Sequence, residues 1–85
     1  MNWYVYMLRC SDNSLYTGLT NDLDARLAAH NAGKGAKYTA ARRPVNLVLH
    51  EPAESKNAAL KRELQIKRWP KAKKEAFIKK IRGRS

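Results

Sequence analysis

Trp3-Tyr4-Val5-Tyr6-Met7-Leu8-Arg9-Cys10, then Ser11-Asp12-Asn13-Ser14, then Leu15-Tyr16-Thr17-Gly18-Leu19 is the stretch on which the fold turns. Two runs of aromatic and branched residues flank four turn formers, the pattern of a β-hairpin. Its register has a consequence for function. Side chains alternate with period two, so Tyr6 and Tyr16 share a sheet face only if residues paired across the hairpin have numbers summing to an even value. A two- or four-residue loop centred on Asp12-Asn13 gives an odd sum. A loop of Ser11-Asp12-Asn13, with Asn13 in the left-handed conformation, or a bulge in one strand, gives the even one.

Outward from the hairpin, Asn21 is a candidate helix cap with Asp24 three positions on. Leu23 and Leu27 at helical spacing and a stop at Gly33 then predict a first helix over about Asp22 to Ala32. Lys34 to Pro44 holds Gly35, Lys37, Arg42 and Arg43 and reads as a mobile basic loop rather than an element. Val45 to His50 is a third strand. Ser55 caps a second helix with Ala59, Leu60 and Leu64 on one side, and Trp69-Pro70 interrupts it before a third helical stretch from about Lys71 to Ile81. The expectation is one α+β domain over residues 1–85, a three-stranded antiparallel sheet flanked by helices.

Composition narrows the partners. A chain of 85 residues buries only roughly 60 to 65% of its unfolded surface, leaving room for one modest core. The 18 Lys and Arg against 7 Asp and Glu give a formal net charge of +11, so a polyanion is the expected partner, nucleic acid before an anionic membrane surface. No apolar run reaches the roughly 18 residues of a membrane span, and Met1-Asn2-Trp3-Tyr4 does not open a signal peptide, so a cytoplasmic protein is expected. Cys10 has no second cysteine for a disulfide or a thiolate cage and reads as a strand residue in a reducing compartment. The mixed Lys71 to Arg82 segment would suit a membrane surface, but an apolar stripe beside a folded core is more economically packing.

The hairpin carries two tyrosine triplets, Tyr4-Val5-Tyr6 and Tyr16-Thr17-Gly18, and the following helix carries Arg26 and His30 on one face. Ten positions separate Tyr6 from Tyr16, and ten more reach Arg26. With Glu63 on a later helix, this ordered set resembles the GIY-YIG nuclease family, including the N-terminal nuclease domain of the bacterial excision-repair incision protein and, more nearly, the small bacterial single-domain members. The likeness runs from Tyr4 to about Trp69. It departs where Tyr4 replaces the family's first glycine, and no asparagine follows Asn57.

The resemblance implies a nuclease that hydrolyses a phosphodiester with one divalent metal, Mg²⁺ or Mn²⁺, on DNA ahead of RNA, directed by substrate shape or by a partner protein. It implies Tyr6, Tyr16, Arg26, His30 and Glu63 as the catalytic set, with Glu63 the metal ligand. A hard cation suits one carboxylate plus waters and substrate oxygens. Arg26 would offset charge on a phosphoryl oxygen, and His30 would accept a proton from water or from a tyrosine. Either tyrosine would need activation by nearby cations, because an ordinary phenol titrates near ~10. Tyr6 with His30 behind it is the preferred base.

Each residue also has a plainer reading. Glu63 is four residues before Lys67 and could simply pair with it; Arg26 could be a surface residue, His30 solvated or capping, and the tyrosines packing. Gly18 suits a close approach of ligand or backbone, or a bulge. Lys34, Lys37, Arg42 and Arg43 in the loop, with Lys61 and Lys67 on the second helix, are candidates for phosphate contacts. Trp3 and Trp69 suit base stacking or, more often, packing. The rival class is a non-catalytic nucleic-acid-binding module on the same fold.

Overall fold

The structure, a computed structural model, describes residues 2–83. Two strands, β1 (Trp3–Arg9) and β2 (Leu15–Thr20), form the hairpin. Helix α1 (Leu23–Asn31) follows, then a short helix α2 (Lys37–Ala40), strand β3 (Asn46–Ala53), and helices α3 (Lys56–Lys67) and α4 (Lys71–Arg82). The sheet is antiparallel with order β2-β1-β3.

The hairpin closes through a three-residue loop. Cys10 N–H donates to Ser14 O and Asn13 N–H to Cys10 O, each at 2.9 Å, and Asn13 has φ 69°. Tyr6 therefore pairs with Gly18 and Leu8 with Tyr16, an even-sum register that puts both tyrosines on one face, as the parity argument requires. Asp12 braces the loop by accepting from the backbone N–H of Ser14 at 3.0 Å.

Alternation gives the central strand a core on each side. Val5 and Met7 pack with Leu49 against Ala59, Ile66 and Ile78 of α3 and α4. Tyr6, Leu8 and Cys10 pack with Val45 against Leu23 and Leu27 of α1. The sheet is the middle layer, covered on both faces.

Several local expectations are corrected. The cap of α1 is Asp22, not Asn21: its carboxylate accepts from Ala25 N–H at 3.1 Å. At the other end Gly33, φ 79°, stops the helix; Gly33 N–H bonds His30 O and Lys34 N–H bonds Ala29 O, the paired bonds of a left-handed glycine terminus. Strand β3 runs on to Ala53, three residues past His50, and tolerates Pro52 because it is an edge strand. Ser55 caps α3 as expected, accepting from Ala58 N–H at 3.1 Å.

The buried stripe of α3 is Ala59 and Ile66, with Arg62 and Glu63 between, while Leu60 and Leu64 are 43% and 49% exposed. Arg62 is held there by Glu51 of β3, Nε to Oε1 at 2.6 Å. Pro70 begins α4, whose Ile78 is buried and whose Phe77 meets Trp69 edge to face. That apolar stripe is packing, and no helix among the described residues is long and apolar enough to cross a membrane.

Lys34 to Pro44 holds an element where the sequence predicts a loop. It contains α2, and its ends are tied down: Asn31 exchanges two side-chain bonds with the Val45 backbone, at 2.8 and 3.0 Å, and Arg42 Nε binds Asp12 at 3.0 Å.

Candidate active site

Tyr6, 2% exposed, lies on the sheet face that α1 covers. Its hydroxyl is 2.8 Å from Nε2 of His30, which has no exposed surface, and 3.4 Å from Nε of Arg26. Arg26 and His30 are one turn apart on α1, so the helix presents both to the same oxygen. Tyr16 joins from β2, its ring centroid 6.4 Å from that of Tyr6 and 5.2 Å from that of His30.

Hydrogen-bond accounting fixes the proton positions. Thr39 Oγ1 lies 2.7 Å from His30 Nδ1 and 3.0 Å from the carbonyl of Ala36. Only the Nδ1–H tautomer satisfies every partner: Thr39 donates to the Ala36 carbonyl and accepts Nδ1–H from His30, and the Tyr6 oxygen, which accepts from Arg26, has Nε2 left to donate to. Nε2 is then the bare nitrogen, and Tyr6 donates to it. The Arg26 guanidinium donates to the same phenol oxygen, which leaves the phenol proton free for His30. The result is a directed chain from Tyr6 through His30 and Thr39 to the first turn of α2.

Electrostatics agree with a neutral resting pair. Burial pushes the Tyr6 phenol above its ordinary value, with Arg26 pulling the other way and the Tyr16 and Glu63 charges adding to the rise. Burial, then the Arg26 charge, holds His30 below the ordinary imidazole value. In the chain by itself, desolvation outweighs the downward pull of Arg26 on the Tyr6 phenol.

Two glycines make room for this arrangement. A Cβ on Gly18 would sit 2.5 Å from the Tyr6 hydroxyl, and one on Gly35 2.3 Å from His30 Nδ1. Gly18 thus leaves space for the phenol of its cross-strand partner, neither a bulge nor a gap for ligand.

Glu63, on α3, bears on Tyr6 through its charge. Its carboxylate is 12% exposed and contributes to the field at Tyr6, and it also makes the plain i,i+4 pair with Lys67, at 3.6 Å. No group of three His, Cys, Asp or Glu capable of holding a metal exists among the described residues. One carboxylate by itself fits only a hard cation that keeps most of its waters.

The basic candidates divide. Lys34, Lys37 and Lys61 are exposed, and Lys67 lines a cleft beside Tyr16. Arg42 is structural: it binds Asp12, donates to the Tyr38 carbonyl at 3.0 Å and lies 3.8 Å over the Tyr38 ring. Arg43 donates to the Ala40 carbonyl at 2.9 Å and packs on Gly33. Trp69 is taken up by Phe77, Arg62 and Lys73, and Trp3 is half-buried under Lys56. Sequence reasoning missed Thr39, Gly35 and Tyr38. The local signal was Thr39 nine residues after His30 in a segment whose glycine and proline pointed to a loop.

Residues 2–76 match the family model described as GIY-YIG catalytic domain. A UPF0213 protein of Bacillus pumilus is 52% identical over 81 residues, covering 95% of this chain and 83% of the relative. One of Staphylococcus haemolyticus is 55% identical over 75 residues, covering 88% and 92%. Among solved structures, the solution structure of a UPF0213 protein from Bacillus halodurans has 46% identity and a TM-score of 0.59, covering 92% of this chain and 83% of that one. An E. faecalis protein solved in solution has 39% identity and a TM-score of 0.65, covering 96% and 88%.

Proposed function

The chain belongs to the GIY-YIG family and to its UPF0213 group of small bacterial proteins, and we propose that it is a metal-dependent endonuclease that hydrolyses a phosphodiester in nucleic acid, DNA ahead of RNA. The observation that carries this reading is the buried Tyr6 hydroxyl held between His30 Nε2 at 2.8 Å and Arg26 Nε at 3.4 Å. One acceptor would satisfy a buried phenol, whereas this oxygen has a bare imidazole nitrogen and a guanidinium as well.

Tyr6 is the base that meets water. As the water oxygen bonds to phosphorus, its proton passes to the Tyr6 oxygen while the phenol proton moves to His30 Nε2. Handing on one proton as it takes another lets a phenol with a raised pKa act at neutral pH. Thr39 steadies the imidazolium by accepting from Nδ1–H. Arg26 offsets charge on the phosphoryl oxygens, and the departing oxygen takes its proton from solvent as its bond to phosphorus breaks. Glu63 would hold a divalent cation, which when bound supplies charge stabilisation at the phosphoryl and leaving oxygens. Mg²⁺ or Mn²⁺ suits that lone carboxylate.

The second reading, nucleic-acid binding without turnover, draws on the Glu63–Lys67 pair, which engages the metal ligand. That pair is weak: Lys67 is 47% exposed and 3.6 Å away, and such pairs contribute about 0–1 kcal/mol. Incubating pure protein with labelled DNA and RNA of single-stranded, branched and nicked form, with Mg²⁺, with Mn²⁺ and with chelator, separates the two. Metal-dependent cleavage supports the nuclease; binding with no cleavage of any substrate supports the binding module.

A further inference from the structure

Beside Tyr16 lies a cleft with two adjoining lobes of about 230 and 240 Å³. Leu15, Tyr38 and Lys74 line both lobes, Tyr16, Thr17 and Lys67 the first. Leu15, Tyr16 and Thr17 are consecutive in β2 and point to alternate faces, so the cleft follows the strand's edge rather than one face. β2 is an edge strand, hence this edge pairs with no other strand.

We propose that this cleft binds one unpaired nucleotide next to the reacting phosphate, its base stacked on Tyr38 and its phosphate held by Lys74 and Lys67. The site deepens the nuclease reading and rests on it for the position of the reacting phosphate. Four observations support it. Tyr38 is 38% exposed, and Tyr16 stacks on it at 6.1 Å and 27°. Arg42 covers one face of the Tyr38 ring and lines neither lobe, while Tyr16, its centroid 6.1 Å away, overlaps the other face only in part and leaves the rest of it to the cleft. Lys74 is half-buried and has no ion-pair partner among the described residues, so its ammonium is available to a phosphate in the cleft. Thr17 is 3% exposed, and its hydroxyl has no hydrogen-bond partner among the described residues, so a ligand oxygen seated over Thr17 would supply one.

The chemistry selects the ligand. A tyrosine face stacks on any base, but only on a base that a partner strand has not enclosed, whereas lysines take phosphate from any strand. The cleft therefore distinguishes unpaired from paired nucleic acid without reading sequence. The cut would fall where a strand leaves a duplex or within a single strand.

The test is binding, in chelator so that nothing turns over, of a labelled single-stranded deoxyoligonucleotide and of the blunt duplex of the same sequence. Tyr38→Ala should weaken the single strand roughly tenfold, the contribution of one stacked base, and the duplex less than twofold. Tyr38→Phe should restore the single strand. Lys74→Gln should flatten the salt dependence for the single strand by about 0.7 in log–log slope. Equal weakening of both ligands by Tyr38→Ala, or none, overturns the proposal. Should Tyr38→Ala fail to fold, Lys74→Gln decides alone: an unchanged slope overturns it. Failure of the nuclease reading shows separately, as no cleavage with metal while the Tyr38 effect on binding persists.

Discussion

The hydroxyl of Tyr6 and Nε2 of His30 meet at 2.8 Å although 24 residues separate them, and neither side chain is more than 2% exposed. Three features bring this about: hairpin parity turns Tyr6 toward α1, one helical turn sets His30 beside Arg26, and the Gly35–Thr39 segment closes over the far side of the imidazole. Each is separately testable.

Removing the hydroxyl of Thr39 should leave Nδ1–H of His30 buried with no acceptor. Thr39→Val is nearly isosteric and should lower unfolding free energy by about 1–3 kcal/mol, with Thr39→Ser recovering most of it. Urea unfolding of the three proteins measures this. A valine variant as stable as the parent would mean that the imidazole does not lean on Thr39.

Gly18→Ala and Gly35→Ala attack the pair from either side, since each Cβ would fall within 2.5 Å of the phenol or imidazole. Both should cost about 1–3 kcal/mol as overpacking and displace the Tyr6–His30 bond. Imidazole nitrogen shifts of His30 report that bond directly. Unmoved shifts in a stably folded Gly18→Ala would refute the close packing.

His30 gives stability a pH dependence of definite sign. Its folded pKa is lowered from 6.5 by burial and by Arg26, so below that value the unfolded chain binds a proton that the folded chain refuses. The histidine therefore destabilises the fold as pH falls below about 6.5, and the loss levels off below the folded pKa. His30→Gln should flatten this limb. Asp12 and Glu75 are held low mainly by their hydrogen bonds to Ser14 and Arg9, and titrate further down. Cleavage should lose activity further down, as pH falls through the lowered folded pKa of His30 and Nε2 becomes protonated; a rate that rises on acidification would contradict the assigned tautomer.

Arg42 and Lys37 should behave differently despite sharing one basic segment. Lys37 is exposed, and Lys37→Ala should leave stability unchanged while reducing the salt slope of nucleic-acid binding by about 0.7–0.9 if it touches a phosphate. Arg42→Ala loses the Asp12 pair, a carbonyl bond and its seat on Tyr38, and should cost about 1–2 kcal/mol. Equal stability of the two variants would show that Arg42 is free.

The parts of the site that follow from periodicity were legible in the sequence. Alternation settles the face of Tyr6 and Tyr16 once Asn13 is granted a left-handed conformation, and helical spacing puts Arg26 with His30. Legibility ended where tertiary contacts choose between local options. Asn21 and Asp22 are both good caps, and Asp22 wins because Thr20 Oγ1 takes the Asp22 N–H. On α3 the Leu60–Leu64 stripe is the more apolar, yet the buried stripe is that of Ala59 and Ile66, where Arg62 meets Glu51 of β3. Thr39 and Tyr38 gain their significance only from His30 and Tyr16, which no local pattern links to them.

The measurement closest to the central claim is metal-dependent cleavage by the parent protein and by Glu63→Gln, prepared identically. The substitution keeps size and helix propensity, removes the charge that would hold a hard cation, and releases Lys67. The account predicts that cleavage falls by orders of magnitude while binding in chelator holds or tightens slightly, because a negative charge near the phosphate has gone. Cleavage at the parental rate by highly purified Glu63→Gln, or no metal-dependent cleavage by the parent on any substrate, would contradict it.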